Sequence, residues 1–226
     1  MPALVFDLDG TLVDTRPDLA AAINTVLRAE GYGEIAMDSL GHLYGHGGRA
    51  MLRKAFADQG AAVSDDEIER MNAAFVEAYR ADIARLSRPF PGVREALASA
   101  ADLGWKLAVC TNKREDLALE LLETLDLLAP FAAIVGGNTF ARAKPDAMPL
   151  LGAIERAGGD RLHSVMIGDS QTDIDAARAA GVPVVAVTFG YTAVPVRELG
   201  PDAVIDTFDA LAAALERIGR APAGAS

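Results

Sequence analysis

Two aspartates set two residues apart open the chemistry of this chain. They lie in Leu4-Val-Phe-Asp-Leu-Asp-Gly-Thr-Leu-Val-Asp14, with Asp7 and Asp9 at the end of an apolar run and Gly10 turning the chain behind them. Strand period two puts both carboxylates on one side of the backbone. Two buried carboxylates repel unless a cation joins them. A hard divalent ion with oxygen ligands, such as Mg²⁺, fits that need. Three further clusters carry polar groups: Thr111-Asn112, Lys144-Pro145 and Gly168-Asp169-Ser-Gln-Thr-Asp173. Together they offer a nucleophile, a proton donor, hydroxyl and amide donors, an ammonium and metal-binding carboxylates. Such a kit suits phosphoryl transfer, where catalysis is mostly positioning and charge neutralisation.

These residues need strand ends to hold them. Leu4–Phe6 has no polar face and reads as a central strand. Further strands are expected at 106–110, 132–135, 164–167 and 184–187, with an edge strand at 203–205; helices are expected at about 92–103, 115–125, 145–157 and 170–181. This alternation predicts an α/β fold with a Rossmann-like parallel sheet covered on both faces. The chemistry then sits beyond the carboxyl ends of the strands. Between Thr15 and Ser87 nothing reads as a strand. Thr15, Pro17 and Asp18 look like a helix start, and Ser64-Asp-Asp-Glu67 is a capping box opening a long helix to about Leu86. The expectation is an inserted all-helical domain of residues 15–87 on a core of 1–14 and 88–226. Its hinges would lie near Val13–Arg16 and Leu86–Pro91. The tail from Gly219 is expected to be loose.

The 226 residues suit one core domain with a smaller insertion, and 51% hydrophobic content is ample for a core. The formal net charge of −11 disfavours nucleic acid and anionic membranes as partners. A phosphorylated ligand would need local cations against that field. Cys110 is the single cysteine, which excludes an intrachain disulfide and fits a reducing cytosol. No leader or bilayer-length apolar stretch is read, so a cytoplasmic protein is expected, as monomer or homodimer.

The opening motif, Thr111-Asn112, Lys144-Pro145 and Gly168–Asp173 follow one another in the order and spacing of the haloacid dehalogenase superfamily of phosphatases. The resemblance spans essentially the whole chain, and the helical insertion is similar to that superfamily's cap. Gly45-His-Gly-Gly-Arg-Ala-Met51 and Phe189-Gly-Tyr191 resemble bacterial phosphoglycolate phosphatases. The resemblance implies Asp7 as nucleophile, forming an aspartyl-phosphate, and Asp9 as proton donor and acceptor. It implies Mg²⁺ held by Asp7, the Asp9 carbonyl and Asp169, with Asp173 behind them or bound through water. Thr111, Asn112 and Lys144 would hold the phosphoryl oxygens. The implied substrate is a small phosphorylated metabolite, 2-phosphoglycolate first.

Gly47, Gly48 and Arg49 are the candidates for the substrate's distal anion, since a glycine-rich turn exposes N–H groups and Arg can grip a carboxylate by two bonds. Plainer readings stand beside these. Asp173 could complete a capping box with Ser170, Lys144 could be a solvated loop lysine, and Gly45–Gly48 could simply join two helices. His42, His46 and His163 read as surface or interface residues, Cys110 as buried and inert, and Asp14 as structural. Other activities compatible with the motifs are hydrolysis of another small phosphate ester or pyrophosphate, a phosphosugar mutase, and a catalytically silent phosphate-binding module. A dehalogenase is disfavoured by Asp9. A nucleotide-binding ATPase is disfavoured by the missing G-x-x-x-x-G-K-[ST], and an EF-hand reading fails on the position of Gly10.

Overall fold

The computed structural model describes residues 1–220. Its main sheet contains β1 (Ala3–Phe6), β4 (Lys106–Cys110), β5 (Phe131–Val135), β6 (Val165–Gly168), β7 (Val184–Val187) and β8 (Ala203–Ile205). All neighbours are parallel, in the order β5-β4-β1-β6-β7-β8. The order reverses direction at β1, which is where a parallel sheet opens a crevice for chemistry.

Each inner strand is buried on both faces, which is why it reads as an unbroken apolar run. Alternate residues serve the two sides. Leu4, Phe6, Val109 and Ile167 join a cluster with α4 (Val93–Asp102), α5 (Glu115–Thr124) and α8 (Leu211–Arg217). Val5, Cys110, Met166 and Ala186 join another with α6 (Ala147–Arg156) and α7 (Gln171–Ala180).

The segment between β1 and β4 carries α1 (Arg16–Ala29), α2 (Gly48–Asp58) and α3 (Asp65–Ala81), with short 3-10 turns over Met37–His46. Leu19, Ile23 and Leu27 of α1, Leu52 and Phe56 of α2, and Ile68, Met71, Phe75 and Tyr79 of α3 are buried together. Their cluster is continuous with one face of the core. The capping box at the start of α3 forms: Ser64 N donates to Glu67 Oε2 at 2.8 Å, and Glu67 N to Ser64 Oγ at 3.3 Å.

One feature went unread, and two expectations need correction. The chain leaves and re-enters the core through a paired ribbon, β2 (Val13–Asp14) antiparallel to β3 (Arg88–Pro89). Two-residue strands carry too little pattern to be read, and a proline within one weakens the signal further. α1 starts where expected, with Thr15 at its N-cap and Pro17 and Asp18 in its first turn, but the Thr15 side chain makes no capping bond. Thr15 Oγ1 instead donates to Asp9 Oδ1 at 2.6 Å. Asp18 accepts from Leu86 N at 3.0 Å, Ser87 N at 2.7 Å and Ser87 Oγ at 2.6 Å. Those long-range bonds also explain why α3 stops at Ala81 and not near Leu86: the N–H groups of Leu86 and Ser87 are drawn to Asp18. The expected loose tail falls largely at 221–226, outside the described residues.

Candidate active site

β1, β4 and β6 deliver their polar residues side by side. Asp7 follows β1 and its N–H donates to Ile167 O at 2.9 Å, Thr111 follows β4, and Asp169 follows β6. Gly10 makes the close approach possible. Its φ is +85°, and a Cβ there would lie 2.5 Å from Asp169 Oδ2, so no other residue fits without moving that carboxylate.

Lys144 is buried at the centre. Its Nζ lies 2.9 Å from Asp7 Oδ1 and 2.6 Å from Asp173 Oδ1. The solvated-loop reading of Lys144 is therefore excluded. Burial opposes its charge, but Asp173 and Asp7 outweigh burial and hold its pKa well above that of a free lysine. Asp173 is fully engaged: its Oδ2 accepts from Asp169 N, Ser170 N and Ser170 Oγ at 3.2, 3.1 and 2.7 Å. The helix-start role and the site role of Asp173 are thus one arrangement.

The carboxylates outnumber that lysine. Asp7, Asp169 and Asp173 are buried and offer oxygens within 4.8 Å of one another. Burial pushes Asp7 up to about 7, with Asp173 and Asp9 adding repulsion against the pull of Lys144. Burial, then Asp173 and Asp7, likewise raise Asp169. Asp7 Oδ1 receives no aligned hydrogen bond, despite the nearby ammonium. An all-oxygen, excess-negative, buried donor set of this kind fits a hard divalent cation. Asp9 contributes no side-chain oxygen to this cluster.

Asp9 has its own cation. Lys113 Nζ lies 2.9 Å from Asp9 Oδ1, with both side chains buried, and 4.6 Å from the centroid of the Tyr79 ring on α3. Burial opposes the charge of Lys113, but Asp9 and Tyr79 raise its pKa above the free value. Sequence reasoning missed Lys113 and Tyr79. Lys113 had one signal, its place directly after Thr111-Asn112 at a strand end. Tyr79 had none, because with Ile68, Met71 and Phe75 it reads as a helical core stripe.

Tyr191 ties site to hinge, a role its sequence motif did not disclose. Its N–H donates to Asp169 Oδ2 at 2.5 Å; its hydroxyl accepts from Thr15 N at 2.8 Å and donates to Asp14 Oδ1 at 2.7 Å. Asp14 also pairs with Arg16, in keeping with a structural role. Thr111 is buried, and its Oγ1 accepts from Lys113 N at 3.1 Å. Asn112 Nδ2 donates to Lys144 O at 3.1 Å, which fixes one loop against the other.

A cavity of about 370 Å³ lies between α2, α3 and the loops after β4 and β5. Asp9, Tyr79, Asn112 and Lys113 line its floor side; Gly47, Gly48 and Arg49 line its helical side. Gly48 opens α2 and packs on Asn72 and Phe75 of α3. Arg49, however, is 61% exposed, and its guanidinium is bound in a two-bond fork by Glu69. His42 and His46 stack edge to face, and His163 is exposed beside Asp160. Burial pushes the Cys110 thiol up to about 12, so it is inert near neutrality. Among the described residues no helix is long and apolar enough to cross a membrane.

Known proteins share this architecture. Residues 4–187 match the model of the family described as haloacid dehalogenase-like hydrolase. The phosphoglycolate phosphatase of Agrobacterium fabrum is 50% identical over 95% of this chain and 92% of its own length. That of Mesorhizobium japonicum is 49% identical over 97% of each. The crystal structure of a predicted phosphoglycolate phosphatase from Haemophilus somnus matches with a TM-score of 0.86 at 29% identity, covering 92% of this chain and 95% of that one. The chain therefore belongs to the haloacid dehalogenase-like hydrolase family. It is an enzyme of the phosphoric monoester hydrolase class, similar to phosphoglycolate phosphatases.

Proposed function

We propose that this enzyme hydrolyses 2-phosphoglycolate to glycolate and phosphate, in the cytoplasm and with Mg²⁺. The observation that carries the reading is Lys144 held between Asp7 and Asp173 at the strand ends, next to a cavity sized for a small metabolite. The names of the relatives at about 50% identity point to the same substrate.

In this reading Asp7 attacks phosphorus as the bond to the leaving alkoxide breaks, and Asp9 gives that alkoxide its proton. Asp9 then takes a proton from water, whose oxygen attacks the phosphorus of the aspartyl-phosphate and frees Asp7. Lys144, the Thr111 hydroxyl and the Asn112 main chain hold the phosphoryl oxygens. Asp7, the Asp9 carbonyl and Asp169 would hold Mg²⁺, with Asp173 orienting Lys144 and the Asp169 loop. When bound, the ion supplies positive charge against the phosphoryl oxygens. Residues 15–87 act as a cap over a core of 1–14 and 88–226. The cap excludes water and brings Gly47, Gly48 and Arg49 to the entrance.

Phosphate release from a panel of phosphomonoesters and pyrophosphate, with Mg²⁺ and with chelator, tests this. The expected result is Mg²⁺-dependent release with kcat/KM highest for 2-phosphoglycolate. A flat profile removes the substrate assignment. No Mg²⁺-dependent release from anything removes the reaction.

A further inference from the structure

We propose that Lys113 is the residue that recognises the substrate's carboxylate, a role that rests on the 2-phosphoglycolate reading. In that ester only an oxygen and a methylene separate phosphorus from the carboxylate carbon. With the phosphoryl group seated at Asp7 and Lys144, the leaving oxygen faces Asp9, and the carboxylate must fall just beyond it. Lys113 Nζ is there, 2.9 Å from Asp9 Oδ1 and on the wall of the cavity.

The other cations around that cavity are differently engaged. Arg49 and Arg114 are more than half exposed and paired with Glu69 and Asp116. Lys113 is buried, with its side chain 6% exposed. Its main chain is fixed by its own N–H to Thr111 Oγ1 and by Gly137 N to its carbonyl at 2.8 Å. Its charge is therefore placed before ligand arrives, which lowers the ordering cost of binding. An ammonium has three donors, and Asp9 and the Tyr79 face do not exhaust them. Lys144 shows that a buried ammonium in this site bridges two carboxylates, Asp7 and Asp173. Lys113 would do the same with Asp9 and the ligand. In a chain of net charge −11, a ligand with an anionic group at each end needs a cation at each end.

The test compares kcat/KM for 2-phosphoglycolate and for ethyl phosphate, which lacks the carboxylate, in the wild type, Lys113→Met, Lys113→Arg and Arg49→Ala. Lys113→Met disturbs Asp9 with both esters, so the ratio isolates the carboxylate. The ratio should fall about 30-fold or more in Lys113→Met. Lys113→Arg, which keeps the charge beside Asp9 and so the fold, should lose only part of it. Arg49→Ala should leave the ratio within about threefold. Inhibition by glycolate, a carboxylate without phosphate, should weaken in Lys113→Met in parallel. Thermal unfolding checks that each variant is folded, with Lys113→Gln taking the place of an unfolded Met variant. A wild type that does not prefer 2-phosphoglycolate overturns the substrate reading and this role with it. A wild type that does prefer it, with the ratio and the glycolate inhibition unchanged in the folded Lys113 variants, overturns the role of Lys113 alone.

Discussion

Lys144 and Lys113 are both buried ammoniums in loops that follow strands, yet they are built differently. Lys144 is bracketed by Asp7 and Asp173, both core residues delivered by β1 and α7. Lys113 is bracketed by Asp9 from the core and the Tyr79 ring from α3. The first cluster draws on no residue of the helical segment 15–87. The second has its ion pair outside the helical segment and is completed by a ring from within it. If the proposed roles hold, the group that faces the phosphoryl end is set by one part of the chain alone, and the group that faces the rest of the ligand by two parts packed together. Burial sets the energetic scale. Breaking a buried ion pair costs about 3–5 kcal/mol, whereas an exposed pair such as Arg49–Glu69 is worth about 0–1 kcal/mol.

The strongest way to break this comparison is Asp7→Asn, which belongs to the first cluster and changes little volume. Turnover of every ester should drop about 10³-fold or more while the fold holds, because Lys144 keeps Asp173 as its partner and losing one of three crowded buried carboxylates relieves their repulsion. Activity near the wild-type level would remove Asp7 from the chemistry. Lys144→Met comes next. It should cost about 10²-fold or more in kcat with all substrates. In metal-free buffer, denaturant unfolding should show a loss of about 3–5 kcal/mol, because Asp7 and Asp173 stay buried without their cation. A substrate-selective effect would place Lys144 at the wrong end of the ligand.

Tyr79→Leu sharpens the second half. It removes the ring face under Lys113, a contact of about 0.5–2 kcal/mol. The expected effect is a loss of up to about tenfold in kcat/KM for 2-phosphoglycolate and a smaller one for ethyl phosphate. Equal losses would mean that the ring only fills space. Arg49→Ala should do least: stability within about 1 kcal/mol and kcat/KM within about threefold, by steady-state kinetics and thermal melts. A selective rise in KM for the carboxylated ester would return the carboxylate to Arg49.

Much of the first cluster was legible from local pattern. An apolar run ending in Asp7 and Asp9, with Gly10 behind it, specifies a buried strand, a turn and a pair of carboxylates within a few residues. The strand–helix alternation placed Thr111, Lys144 and Asp169 at the same edge, since parallel strands present their carboxyl ends together. The capping box at Ser64 was equally local and forms as read.

Tertiary structure decided the rest, wherever a side chain's partner is remote. Thr15 and Asp18 have the spacing of a capping box, but Asp9, Leu86 and Ser87 compete for them and win. Arg49 has the right chemistry for an anion and spends it on Glu69, twenty residues away and one helix over. Lys113 and Tyr79 lie far apart in sequence, and nothing local says that one covers the other. The sequence by itself therefore determined the fold class and the residues of the buried cluster around Asp7, Lys144 and Asp169. That Tyr79 covers Lys113 beside Asp9 was decided by how the helices settle on the sheet, because that contact is made by packing between distant segments and leaves no local periodicity to read.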